Sequence, residues 1–91
     1  MNITTEQALS IAYAADLDTD DVRTDYSGRA MYGRECLGFI VPSTGMLLNL
    51  GMAIGSTLDS WQAQSMMHGA RTDSMGMDLV IYFPDVQVVD E

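Results

Sequence analysis

Two rhythms of apolar and polar positions run along this chain, and the switches between them mark its elements. Thr4-Thr5-Glu6-Gln7 is a Thr-x-x-Gln capping box, in which the Thr4 hydroxyl accepts a backbone N–H and Gln7 reaches back. Ala8, Ile11, Ala12 and Ala15 then recur at helical spacing as a short apolar stripe. The helix is expected to stop in Asp16-Leu17-Asp18-Thr19-Asp20-Asp21, because carboxylates near a helix C-terminus oppose its dipole. Val22 to Tyr26 reads as a weak strand. Glu35 to Val41 reads as a strong one, with β-branched and aromatic residues. The turn-rich SGRAMYG between them predicts a hairpin with a longish loop.

Beyond Pro42, Ser43 or Thr44 is placed to cap a long helix whose stripe is Leu47, Leu50, Ile54, Leu58 and Trp61. Gly51 and Gly55 form a G-x-x-x-G on it, which allows close approach to a sheet or to a second copy. Residues 69–76 read as a loop. Met77 to Phe83 is a strand that Pro84 closes, and Val86 to Val89 is a short fourth strand or a tail. The order α-β-β-α-β predicts an α+β fold, with a three- or four-stranded sheet and the helices on one face. It fits one domain over 1–91, with flexible ends at 1–3 and 90–91. If the long helix is a crossover, the second and third strands run parallel.

Composition adds to this outline. The 91 residues are 47% hydrophobic, enough for one buried core, and the eight methionines suit either irregular core gaps or an adaptable contact surface. Cys36 is the only cysteine, which precludes an intrachain disulfide and fits a reducing compartment. The start of the chain lacks the charged and apolar regions of a signal peptide, and no stretch approaches the roughly 20 apolar residues of a membrane span. A cytoplasmic protein is expected.

Charge changes the picture most. Thirteen carboxylates, ten of them aspartates, against four arginines and no lysine give a net charge of −9. That field repels nucleic acid and anionic membranes and favours basic partners, though it also simply keeps a small protein soluble. Asp16, Asp18, Asp20, Asp21 and Asp25 form the densest run and are the candidate contact residues for a basic partner. Asp16-x-Asp18-x-Asp20 opens like a calcium-binding EF-hand loop. Asp21 and Ser27 then stand where that loop needs glycine and glutamate, so no metal site is expected.

The arginines depart from the acidic background. Arg23, Arg29 and Arg34 lie in or beside DYSGRAMYGREC, with Tyr26 and Tyr32 among them. Gly28 to Gly33 spaces two glycines as a phosphate-binding P-loop does. Arg34 and Glu35 then replace the lysine and hydroxyl that such a loop requires, and a strand follows instead of a helix. A nucleotide hydrolase is therefore excluded. Two readings remain: Arg23, Tyr26, Arg29, Tyr32 and Arg34 bind a small anion by forked hydrogen bonds and stacking, or the arginines neutralise Asp20, Asp21, Asp25 and Glu35. His68, the sole histidine, and Cys36 are the only candidate base and nucleophile. Nothing in the pattern pairs them, so no catalytic residue and no cofactor are expected.

DYSGRAMYG followed by CLGFIV, within residues 22–41, resembles a stretch of small uncharacterised proteins encoded by bacteriophages. The resemblance implies a phage accessory protein that acts by binding in the host cytoplasm, and it carries no activity to particular residues. In charge the chain is similar to phage DNA-mimic inhibitors of host defence. Three functions follow as expectations. The leading one is a non-enzymatic protein whose aspartates engage a basic or DNA-binding host protein. The second is a binder of an anionic metabolite or nucleotide at the Arg/Tyr loop 23–34. The third is a subunit that associates, with itself or another chain, through a methionine-rich apolar surface.

Overall fold

The computed structural model describes residues 1–28, 31–43 and 45–89. The chain runs β1 (Asn2–Thr4), α1 (Thr5–Ala14), a 3-10 turn (Thr19–Asp21), β2 (Val22–Tyr26), β3 (Cys36–Val41), α2 (Met46–Thr57), α3 (Ser60–His68), β4 (Arg71–Met75), β5 (Asp78–Phe83) and β6 (Gln87–Val89). The capping box forms as its spacing requires: Thr4 Oγ1 accepts from the Gln7 N–H at 3.1 Å, and Gln7 Oε1 accepts from the Thr4 N–H at 2.9 Å. Four strands make an antiparallel sheet in the order β2-β3-β5-β4, and β1 pairs with β6 in a small parallel sheet. The α+β class therefore stands.

Alternation along the two central strands separates the sheet's faces. Leu37, Phe39 and Val41 of β3 and Ile81 and Phe83 of β5 point towards Ile11, Ala12, Leu50, Ala53, Ile54 and Met66 of the helices. The Phe39 and Phe83 rings meet edge to face with centroids 6.1 Å apart. Removing each such side chain from water contributes about 2–3 kcal/mol, so this layer supplies much of the cohesion of the fold. The opposite face carries a smaller cluster of Tyr26, Met31, Cys36, Val80 and Tyr82.

The structure corrects several expectations. At the start of the chain β1 lies parallel to β6, a pairing the sequence did not suggest, with Ile3 opposite Val88, and the Met1 ammonium donates to the Asp85 carbonyl at 2.9 Å. Residues 90–91 fall outside the described residues. The single long helix is two helices. Leu58 adopts extended backbone, and the Asp59 carboxylate starts α3 by accepting from the Gln62 N–H at 2.8 Å. An aspartate is a preferred N-cap, and its signal was hidden inside an otherwise continuous stripe.

The α2 cap is not Ser43, because Gly45 takes that position without a side-chain hydrogen bond, while Thr44 lies outside the described residues. The loop expected at 69–76 contains β4, a polar edge strand. It joins β5 through a two-residue turn in which Gly76 has φ +65°. The strand over 78–83 is antiparallel to β3, not parallel. The crossover from β3 through α2 and α3 leads to β4, and β5 then inserts between them, so β3 and β4 run in the same direction.

Candidate functional site

The acidic run forms around the end of α1. Asp16 adopts the left-handed conformation at φ 62°, the Leu17 N–H returns to the Ala12 carbonyl at 2.8 Å, and the Asp16 N–H reaches the Tyr13 carbonyl at 3.1 Å. This is the Schellman closure, with an aspartate where glycine is usual, and Leu17 anchors it by packing on the core. Asp18 and Asp20 are exposed, and Asp21 is half-buried with its carboxylate accepting from the Asp18 N–H at 3.2 Å. Asp25 is exposed on β2, about 13 Å further along the strand at 3.3 Å per residue. That exceeds the Debye length of about 8 Å in physiological salt, so Asp25 stands apart from the other four. Among the described residues no group of three His, Cys, Asp or Glu side chains is arranged to hold a metal.

An apolar surface lies beside the end of α1. Leu48 and Met52 on α2 are 73% and 69% exposed, and Trp61 on α3 is 79% exposed. The break at Leu58 accounts for Trp61: restarting the helix at Ser60 turns it out of the stripe to which its spacing had assigned it. Gly51 serves the junction of the two helices, since a Cβ there would stand 3.3 Å from the Met67 methyl, while Gly55 faces open space. The G-x-x-x-G thus admits α3 and not the sheet.

Three shallow clefts join this surface end to end. Ala14, Ala15, Asp16, Asn49 and Met52 line the first. Met52 also lines the second, with Leu47, Leu48, Gly51 and Met67. Met67 continues into the third, with Trp61, Gln64, Ser65 and His68. The acidic end of α1 and the apolar face of α2 and α3 therefore form one continuous surface, with Asp16 at the boundary.

The Arg/Tyr loop lies on the opposite face of the sheet. Met31 is its buried plug, with Sδ accepting from the Gly28 N–H at 3.1 Å and lying 3.9 Å from the Cys36 Sγ. Burial pushes the Cys36 thiol up, and a hydrogen bond with the Phe83 backbone and then Arg34 only partly oppose this. Tyr26 is buried, its ring 4.9 Å from that of Tyr82, and its hydroxyl donates to the Asp73 carboxylate at 2.9 Å. Burial first, and then Asp73, push that hydroxyl up to about 12.

Of the five residues proposed from sequence as an anion site, the four that the structure describes are not gathered at one place. Arg23 donates to the Asp20 and Val22 carbonyls, so it braces the 3-10 turn. Tyr26 is occupied by Asp73. Tyr32, at φ 55°, is 95% exposed, and Arg29 lies outside the described residues. Arg34 lines a cleft of about 400 Å³, together with Met31, His68, Gly69, Ala70, Arg71, Pro84 and Asp85. Sequence reasoning missed Arg71 and His68 as companions of Arg34, because β4 was read as loop. His68 and Cys36 are not brought together: the thiol is sealed under Met31, while His68 is exposed at the end of α3.

Comparison of the chain with protein-family models, with curated proteins and with solved structures finds no match. Among the described residues no helix is long and apolar enough to cross a membrane.

Proposed function

We propose that this protein is a non-enzymatic interaction protein that binds a basic, helical segment of a partner protein across α2, α3 and the end of α1. The observation that carries this reading is the continuity of the exposed Leu48, Met52 and Trp61 face with Asp16, which the exposed Asp18 and Asp20 follow closely in the chain. Contiguous exposed apolar surface marks interaction sites, and methionine lets such a surface fit more than one side-chain pattern. A basic amphipathic helix satisfies both parts: its apolar side covers α2 and α3, and its cations meet the aspartates. Charge also favours a foreign partner over a second copy, because a second copy brings another −9. In the context implied by the phage resemblance, the partner is a DNA-binding host protein, with the aspartates standing in for phosphates.

Affinity capture with three baits tests this reading: the unaltered chain, Leu48→Glu with Met52→Glu, and Asp18→Asn with Asp20→Asn. The expected result is one basic protein retained by the first bait at low salt and lost by both variants. All four residues are exposed, so the variants keep the fold. Equal retention by all three baits, or retention of acidic proteins only, contradicts the proposal.

A further inference from the structure

A further cleft, which meets the apolar surface at His68, has the opposite chemistry. The whole chain contains five basic side chains, four arginines and one histidine, and three of them (Arg34, His68 and Arg71) line this single cleft. They arrive from three separate elements: the loop after Met31, the end of α3 and the start of β4. Arg34 is held in place from behind, since its backbone N–H and its Nε both donate to the Met31 carbonyl, at 3.0 and 3.3 Å. That leaves its two terminal nitrogens without a hydrogen-bond partner among the described residues. The guanidinium of Arg71 and the ring of His68 likewise have none there.

In a protein with thirteen carboxylates, solvated neutralisation would scatter the arginines among them. Among the described residues one carboxylate, Asp85, reaches the cleft, and it is exposed. Met31, Ala70 and Pro84 supply apolar wall.

We infer that this cleft is a binding site for a small phosphomonoester. Donors line the cleft from three elements, and a tetrahedral phosphate with three terminal oxygens matches donors arriving from three directions better than a planar carboxylate, whose acceptor sites lie in one plane. Arg34 and Arg71 take the phosphate by forked hydrogen bonds, and His68 donates to its third oxygen. Asp85 accepts from a hydroxyl on the organic part, which rests on Met31 and Pro84. A volume of about 400 Å³ lies in the range of small-molecule sites and exceeds what inorganic phosphate fills. The site lies outside the binding surface proposed above, apart from His68 at the edge they share, and it does not depend on that proposal.

Calorimetric titration of the full chain with a nucleoside monophosphate, a hexose phosphate, inorganic phosphate and acetate tests the assignment. One of the two organic phosphates is expected to bind with Kd of about 0.1–1 mM, inorganic phosphate more weakly, and acetate not at all. Arg34→Ala and Arg71→Ala should each weaken binding about tenfold or more, the range for hydrogen bonds to a charged group. Arg23→Ala, which removes the same charge elsewhere, should leave Kd within about twofold. Circular dichroism of each variant confirms the fold, and Arg34→Lys serves as a second variant that keeps charge but loses the fork. The inference is overturned if neither organic phosphate binds below about 10 mM, if acetate binds as tightly, or if Arg23→Ala weakens binding as much as Arg71→Ala.

Discussion

Asp16 sits at the junction of fold and function, and replacing it separates the two. It occupies the left-handed position that closes α1, at φ 62°, just beyond the helix C-terminus, with Asp18, Asp20 and Asp21 close behind. Asp16→Gly relieves backbone crowding of about 1 kcal/mol for an L-residue in this conformation. The gain is nearly offset by the extra freedom glycine has in the unfolded chain, about 0.5–1 kcal/mol. The charge terms then set the sign. Removing a carboxylate from the negative end of the helix contributes about 0.3–1 kcal/mol, and relief from the neighbouring aspartates adds a few tenths.

The protein should therefore gain about 0.5–1 kcal/mol at low salt. With a urea slope of about 1 kcal/mol/M, the midpoint should rise by roughly 0.5–1 M at unchanged slope. Asp16→Asn tolerates the same backbone and removes only the charge, so it should give a gain of similar size, and salt should shrink both gains by screening. A midpoint for either variant at or below that of the unaltered protein in low salt would show that the Asp16 charge does not weaken the helix end. A gain confirms that the chain retains an aspartate at the edge of its proposed binding surface at some cost in stability.

Two further predictions concern the rest of the fold. The Tyr26 hydroxyl, pushed up to about 12 by burial and by Asp73, stays protonated in the folded chain after it has ionised in the unfolded one, near pH 10. Its contribution is thus fully present below pH 10 and is lost as pH rises through 12. It amounts to about 2–3 kcal/mol. Tyr26→Phe should lower stability at pH 7 by about 1–2 kcal/mol through the lost bond to Asp73, and its unfolding free energy should fall less steeply between pH 10 and 12. An identical pH dependence in the two proteins would contradict this. Asp59→Ala removes the cap that separates α3 from α2 and should lower the urea midpoint by about 1 M, corresponding to about 1 kcal/mol. An unchanged midpoint would show that the helix break does not depend on Asp59.

The legible parts of this fold are those with strong local patterns. The α1 capping box and stripe, the run CLGFIV and the run DLVIYF each carry their own period, and each became an element. β4 was illegible because Arg-Thr-Asp-Ser-Met is a polar edge strand, specified by its pairing with β5 and not by propensity. β1 and β6 are too short to carry a period, and they exist because each satisfies the other. The helix break at Leu58 depended on reading Asp59 as a cap against a competing stripe.

For the sites, the aspartates were visible because they are adjacent in sequence. The apolar face was not, since it needed Trp61 turned outward by that break. The cleft of Arg34, His68 and Arg71 needed the edge position of β4, which no spacing encodes.

Whether α2, α3 and the end of α1 receive a basic amphipathic helix can be read through Trp61, the only tryptophan in the chain. A basic amphipathic peptide and a shuffled peptide of identical composition are each titrated into the protein while tryptophan emission is followed. A saturable blue shift is expected with the amphipathic peptide alone, weakened by salt and by Asp18→Asn with Asp20→Asn. Unmoved Trp61 emission at saturating peptide, or an equal response to the shuffled one, would contradict it.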